Sequence, residues 1–128
     1  MKISSSPLAI ALCAAFASTA VCAAETPYPE KAVRMIVPFA PGGPTDVIAR
    51  VVAARLSEAW NHQVVVDNRA GAGGNIGMGL AATAPADGYT IAVVSSSYVV
   101  NPTLYAKIPY DPYKSFVPVT NIAASPNV

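Results

Sequence analysis

The sequence carries little charge. Charged residues make up 12% of its 128 positions, and eight Lys and Arg stand against seven Asp and Glu, a formal net charge of +1. No run of basic residues occurs, and Lys2 lies in an N-terminal segment that we expect to be removed. Because nucleic-acid-binding proteins present a basic patch or stripe, this composition argues against nucleic acid as a partner.

Cysteine is nearly absent. The two cysteines, Cys13 and Cys22, both precede Glu25. If residues 1–24 are removed as a signal, no cysteine remains. Disulfides, zinc–thiolate sites and cysteine nucleophiles are then excluded together.

Histidine is equally scarce, which limits the possible catalytic chemistry. The single histidine, His62, follows a predicted helix and lies far from any glycine turn, so no Ser-His-Asp arrangement can be built around it. The carboxylates Asp46, Asp67 and Asp87 are scattered without metal-ligand spacing. We therefore expect no catalytic residue, no metal and no cofactor, and we predict that the protein is not an enzyme.

No apolar run is long enough to span a bilayer, and the N-terminal one is typical of a secretory signal. Lys2 provides the positive start, residues 8–16 are apolar, and Cys22-Ala23-Ala24 offers small residues for cleavage before Glu25. A transmembrane helix needs about 20 apolar residues. We predict a cleaved signal peptide over residues 1–24 and export of the protein; an uncleaved N-terminal anchor is the alternative.

What the sequence does contain is a repeated pattern of apolar runs and glycine-rich breaks. Residues 33–39 are almost continuously apolar, residues 45–60 have helical spacing, and a second apolar run, residues 64–66, lies in a predicted strand over residues 63–67. Glycine-rich breaks lie at residues 41–44 and 71–75. Strand, loop, helix and strand in this order predict a βαβ unit in an α/β fold with a mostly parallel sheet.

The helix over residues 45–60 has a start, an end and an apolar face. Pro44 suits the first helical position, and Asp46 lies in the first turn, where a carboxylate is favourable. Asn61-His62 ends the pattern. The predicted buried stripe consists of the apolar residues at helical spacing, namely Val47, Ile48, Val51, Val52, Leu56 and Ala59.

Shorter elements follow. A second helix is predicted over residues 76–84 and a third strand over residues 89–94. Residues 99–105 are predicted to form one or two helical turns interrupted by Pro102, and residues 108–116 an ordered loop. Residues 117–123 are a candidate fourth strand.

Both glycine-rich breaks fall at the carboxyl ends of predicted strands, where parallel sheets bind ligands. Each break also opens a helix and can offer free backbone N–H groups to an anion. Three serines follow the third strand at the same edge. The pattern predicts one ligand site built mostly from backbone, with these candidate residues: Ala40, Gly42, Gly43, Asp46, Ala72, Gly73, Gly74, Asn75, Ser96 and Ser97.

Each of these features also has a purely structural interpretation. Gly42 and Gly43 suit a turn that needs positive φ, and Asp46 suits a helix start. Arg69, the basic side chain next to a glycine loop, is as compatible with pairing to Asp67 or Asp46 as with binding a substrate.

The alternative function is a dinucleotide-binding enzyme of Rossmann type. The spacing from Gly43 to Asp67 would allow Asp67 to hold a ribose. However, the G-x-G-x-x-G fingerprint is not met at Gly71-x-Gly73, and its relaxed form at Gly77-x-Gly79-x-x-Ala82 lies inside a predicted helix. The secretion signal also argues against this alternative.

The motifs of the chain, taken in order, resemble one family closely. They are Tyr28-Pro29, the run from Ile36 to Asp46 that contains Ala40-Pro41-Gly42-Gly43-Pro44, the run from Val65 to Gly77, Ala86-Asp87-Gly88-Tyr89-Thr90, Asn101-Pro102-Thr103-Leu104-Tyr105 and Pro109-Tyr110-Asp111-Pro112. Together they resemble the Bug family, the periplasmic substrate-binding proteins of tripartite tricarboxylate transporters.

The resemblance implies a two-lobed periplasmic-binding-protein type II (Venus-flytrap) fold. Family members are well over twice this length, so residues 25–128 are expected to be the N-terminal part of the first lobe, with the second lobe absent. A non-functional truncated product is therefore a further alternative.

The resemblance also implies a function. A family member captures a small carboxylate, such as a di- or tricarboxylate or an acidic amino acid, and passes it to membrane permease subunits. The loops matching residues 41–46 and 70–75 would hold the ligand carboxylate, partly through ordered water. A full-length member is expected to be a monomer.

Overall fold

A computed structural model describes residues 27–124 of the chain. The predicted signal peptide and its cleavage site before Glu25 lie outside these residues. Within them, no helix has both the length and the apolar character that crossing a membrane requires.

The described residues form a three-stranded sheet with helices in the connections. In chain order the elements are β1 (Val33–Val37), α1 (Pro44–Trp60), β2 (Val64–Asn68), a 3₁₀ turn (Ala72–Gly74), α2 (Asn75–Ala82), β3 (Thr90–Ala92) and α3 (Ser97–Leu104).

The sheet has the order β2-β1-β3, and both strand pairs are parallel. Val33 of β1 is paired with Val64 of β2, and Met35 of β1 with Ile91 of β3. Because β1 is central, all of its residues except Arg34 are fully buried, which explains its almost continuously apolar sequence. The predicted α/β fold with a parallel sheet is confirmed.

Helix α1 begins and ends where the sequence predicts. Gly43 is its N-cap, Pro44 is at its start and Asp46 lies in its first turn. The helix ends at Trp60, and its C-cap is Asn61, whose φ of 52° is in the left-handed region that Asn tolerates better than most residues.

The predicted buried stripe of α1 is wrong in part. Val47 and Val51 are 54% and 61% exposed, whereas Ala49 and Ala53 lie in the core. The face of the helix that packs on the sheet therefore carries small side chains. Larger side chains at its edges, Val52 and Leu56, are only partly buried against the core.

Three other expectations require correction. Strand β1 ends at Val37, not at residue 39. Helix α3 begins at Ser97 and continues through Pro102, because a two-turn helix loses only one internal hydrogen bond to the missing N–H. Residues 117–124 form no strand among the described residues, and Val117 and Val119 are 87% and 88% exposed.

The connection after α3 is an ordered loop, as predicted. Tyr110 is buried and stacks on Tyr98 of α3 with ring centroids 5.9 Å apart, and Phe116 packs edge-on against both rings. The Tyr98 hydroxyl donates a hydrogen bond to the carbonyl of Pro112. These contacts fix the loop against α3.

Candidate functional site

The first glycine loop connects β1 to α1. Gly42 has a φ of +84°, and its N–H donates to Asp46 Oδ2 at 2.8 Å. The N–H groups of Gly43, Thr45 and Asp46 have no acceptor among the described residues, as expected at a helix N-terminus. These three donors, and not the N–H of Gly42, are therefore available to a ligand.

Asp46 is the centre of a buried polar network. Its side chain is 3% exposed. Besides Gly42, Arg50 Nε donates to Oδ2 at 2.9 Å and Asn68 Nδ2 donates to Oδ1 at 2.9 Å. The Arg50 hydrogen bond, followed by those from Gly42 and Asn68, lowers the pKa of Asp46 to about 2. The carboxylate is therefore charged and fully occupied by its own chain.

Asn68 links this network to the end of β2. Its Nδ2 also donates to the carbonyl of Phe39 at 3.1 Å, and its Oδ1 accepts from Arg50 Nη2 at 3.1 Å. One side chain thus joins the first glycine loop to the strand that leads into the second. Asn68 is not among the predicted site residues, because nothing local in the sequence links it to Asp46, which lies 22 positions away.

The second glycine loop has an unusual backbone. Positive φ values occur at four consecutive residues: Gly71 (135°), Ala72 (48°), Gly73 (64°) and Gly74 (98°). The N–H of Gly74 donates to the carbonyl of Gly71 at 2.9 Å. Among the described residues, the N–H groups of Ala72 and Gly73 have no acceptor. This conformation explains why glycines are concentrated here.

The two loops lie side by side. A Cβ on Gly74 would lie 3.5 Å from Pro38 Cβ and 3.6 Å from Phe39 Cζ, both at the end of β1. Gly77 approaches even more closely, since its Cβ would lie 2.7 Å from Pro38 Cβ and 2.8 Å from the carbonyl of Arg69. The close approach requires glycine, and it brings the start of α2 beside the first loop.

Helix α3 supplies a contact that the sequence did not predict. Asn101 is 4% exposed, and its Nδ2 donates to the carbonyl of Gly73 at 2.9 Å and to Asn75 Oδ1 at 2.8 Å. The hydroxyl of Tyr105 lies 2.9 Å from where a Cβ on Gly73 would be. The second loop is therefore held from outside by α3.

Of the two predicted serines, Ser96 lines a neighbouring cleft of about 810 Å³ and Ser97 does not. Ser96 lines it together with Thr45 and residues 118 and 120–124, whereas the glycine loops do not. Ser97 Oγ lies 3.2 Å from Ser95 Oγ. The structure thus groups the two glycine loops with Asp46 and Asn75, and places Ser96 beside Thr45 at the start of α1.

Arg69 forms an ion pair with Asp67, which lies near the end of β2. Its Nε donates to Asp67 Oδ1 at 2.8 Å, while Arg34 Nε donates to Asp67 Oδ2 at 2.8 Å. The hydrogen bond from Arg34 is the main cause of the lowered pKa of Asp67. Among residues 27–124, no group of three or more His, Cys, Asp or Glu is placed to hold a metal ion.

The model of the tripartite tricarboxylate transporter family receptor, TctC, matches residues 48–128, more than half of the chain. The chain belongs to this family. Protein BugT of Bordetella pertussis is similar to it, with 48% identity over 103 residues that cover 79% of this chain and 32% of BugT. The resemblance to the Bug family seen in the motifs is therefore confirmed.

Solved structures of TctC and Bug relatives share the fold. The periplasmic binding protein BugD is 46% identical, with a TM-score of 0.67 over 70% of this chain and 30% of BugD. MatC from Rhodopseudomonas palustris with bound malate is 35% identical, with a TM-score of 0.67 over 72% of this chain and 32% of MatC. R. palustris Rpa4515 with adipate is 42% identical, with a TM-score of 0.65 over 67% of this chain and 29% of that protein.

The chain spans about 30% of the length of the curated relatives that it matches. The periplasmic-binding-protein fold predicted from the sequence is confirmed for this part, since its structural neighbours are periplasmic binding proteins.

Proposed function

We propose that the chain forms the carboxylate-binding part of a periplasmic solute-binding protein. Its ligand is a small carboxylic acid, namely a di- or tricarboxylate or an acidic amino acid. The observation that carries the proposal is the pair of adjacent glycine loops with five N–H groups free of acceptors among the described residues. The bound malate and adipate of two relatives support the same class of ligand.

The energies of such contacts are sufficient for binding. A hydrogen bond to a charged group contributes roughly 1.5–3 kcal/mol, and a helix N-terminus adds about 0.3–1 kcal/mol. Micromolar affinity requires about 8 kcal/mol. Four or five bonds from Gly43, Thr45, Asp46, Ala72 and Gly73 would reach this value after the costs of ordering, without an Arg clamp.

Within this site we assign Asp46 an indirect role. Its carboxylate is buried and saturated by Gly42, Arg50 and Asn68, so its contribution is to fix the first loop while its backbone N–H faces the ligand. The charge of Arg50 offsets that of Asp46 near an anionic ligand. Gly74 and Asn75 shape the second loop, and Ala40 and Gly42 shape the first. Ser96 would act from the neighbouring cleft, and Ser97 from beside it, since its Oγ lies 3.2 Å from the Oγ of Ser95, which lines the cleft.

We further propose that the protein is exported through a cleaved signal over residues 1–24. In the periplasm it passes its ligand to the membrane permease subunits of a tripartite tricarboxylate transporter. The family match supports this assignment.

The test is calorimetric titration of the complete gene product that contains this sequence. Malate, adipate, citrate, glutamate and NAD are compared side by side. We expect micromolar binding of at least one of the four acids and none of NAD. Binding of NAD without binding of any acid would overturn the proposal.

The structure gives no support to the dinucleotide-binding alternative. That alternative requires Asp67 to accept hydrogen bonds from a ribose. Both oxygens of Asp67 already accept bonds from Arg34 and Arg69.

A further inference from the structure

Asn101 of α3 contacts the second glycine loop at two points. Its Nδ2 donates to the carbonyl of Gly73 and to Oδ1 of Asn75, at 2.9 Å and 2.8 Å. Asn101 and Asn75 are each 4% exposed, so these bonds are shielded from water. The residues that are bonded lie 28 and 26 positions apart in the sequence.

The chemistry of these contacts fixes how both amides are oriented. A backbone carbonyl can only accept, so the Asn101 atom beside Gly73 must be its nitrogen. The same nitrogen then faces Asn75, whose contacting atom must be oxygen. A flip of either amide would place two donors or two acceptors together in a buried site, which is costly.

The orientation leaves the amide nitrogen of Asn75 unused. Among residues 27–124, Nδ2 of Asn75 has no hydrogen-bond acceptor, whereas its Oδ1 is occupied. Asn75 is also the first residue of α2, at the helix end that favours an anion. A free donor at that position suits a carboxylate oxygen.

We infer that Asn101 is a positioning residue that turns the Asn75 amide so that its NH₂ group donates to the bound carboxylate. The inference rests on the proposed function and extends it to a residue of α3. It explains why an element outside both glycine loops contributes a buried polar side chain to them.

The direct test is NMR of the side-chain amides in the complete gene product, with malate, adipate, citrate and glutamate as probes. Without a probe, we expect the NH₂ protons of Asn101 to exchange slowly with water and those of Asn75 rapidly. With a bound acid, the Asn75 protons should shift and become protected. Asn75 protons that do not respond to a bound acid would overturn the inference.

Substitutions provide the second test. Asn75→Asp keeps the oxygen that accepts from Asn101 but replaces the free donor by a second acceptor. We expect its affinity to fall at least about tenfold, the loss of one hydrogen bond to a charged group, with little change in melting temperature. Asn61→Asp, an exposed site at the other end of α1, adds the same charge and should leave the affinity unchanged.

Asn101→Leu removes the donor at nearly constant volume. We expect weaker binding and loss of the shift of the Asn75 amide on adding the acid. If Asn101→Leu does not fold, the wild-type amide exchange and Asn75→Asp still decide the question. Wild-type affinity in Asn75→Asp would overturn the inference, whereas a wild-type protein that binds none of the acids would overturn the proposed function instead.

Discussion

Gly77→Ala tests how closely α2 approaches the first glycine loop. An alanine Cβ at this position would lie 2.7 Å from Pro38 Cβ, 2.8 Å from Pro38 Cα and 2.8 Å from the carbonyl oxygen of Arg69. Two of these three atoms belong to the backbone, which cannot rotate away as a flexible side chain would. Helix α2 would have to withdraw by roughly 0.7 Å to restore an ordinary contact of about 3.5 Å.

Two opposing contributions determine how much Gly77→Ala changes the free energy of unfolding. Replacing Gly by Ala within a helix is favourable by about 0.8–1.0 kcal/mol. Overpacking a well-packed site costs typically 1–3 kcal/mol and occasionally more. Because the contacted atoms are mainly backbone, we expect the cost at the upper end and a net loss of about 2 kcal/mol. Helix propensity alone would make Gly77→Ala stabilising. A measured destabilisation is therefore the result that supports the close approach.

Urea unfolding of the purified chain at micromolar concentration measures this loss. Trp60, the single tryptophan, packs edge-on against Tyr28 at 5.7 Å and reports unfolding by fluorescence. Ala81→Gly, in the same helix, calibrates the propensity term and should destabilise by about 1 kcal/mol. A Gly77→Ala chain that unfolds at the same urea concentration as wild type, or at a higher one, would refute the close approach.

Three further predictions concern the hydrogen-bond network of Asp46, the second glycine loop and the removal of the signal peptide. Asp46→Asn should lower stability near pH 7, and its difference from wild type should shrink as pH falls from about 4 to 2. The reason is that the pKa, ordinarily 3.8, is about 2 in the folded chain, so the stabilising charge is lost only on passing through that range. Urea midpoints across pH check this, and a constant difference would contradict it. Gly73→Val and Gly74→Val should abolish acid binding by the gene product in calorimetry, because branched side chains disfavour φ values of +64° and +98°; retained affinity in a folded variant would assign these glycines to the turn alone. Mass spectrometry of periplasmic material should find an N-terminus at Glu25, and material that keeps residues 1–24 would argue for an anchor.

The parts of the fold that follow from local chemistry could be predicted from the sequence. The apolar run of β1 indicated a strand covered on both faces, and Pro44 and Asn61 marked the start and the end of α1. Gly42 and Gly43 suited a turn that needs positive φ; Gly42 has a φ of +84°, whereas Gly43, the N-cap of α1, has a φ of −76°. These signals are local because they reflect the dihedral angles and burial of individual residues.

The parts of the fold that depend on tertiary packing could not be predicted from the sequence. The side of α1 that faces the sheet is lined by Ala49 and Ala53, which count less in a hydrophobic pattern than the exposed Val47 and Val51. Residues 117–124 are compatible with a strand by composition, but a strand forms only where a neighbouring strand supplies hydrogen bonds. Among the described residues the sheet has the order β2-β1-β3, and residues 117–124 pair with neither of its edge strands.

Asn68 and Asn101 show most clearly that a role set by tertiary packing cannot be read from the sequence. The groups that we propose to contact the ligand are backbone N–H groups, so their sequence signature is glycine, and glycine can be recognised locally. The side chains that fix those groups come from other elements: Asn68 lies 22 positions from Asp46, and Asn101 lies 28 positions from Gly73. Either asparagine alone suits a turn or a helix end equally well. Only the folded chain reveals them as parts of the site, because only folding brings their amides within 3 Å of the glycine loop or of Asp46.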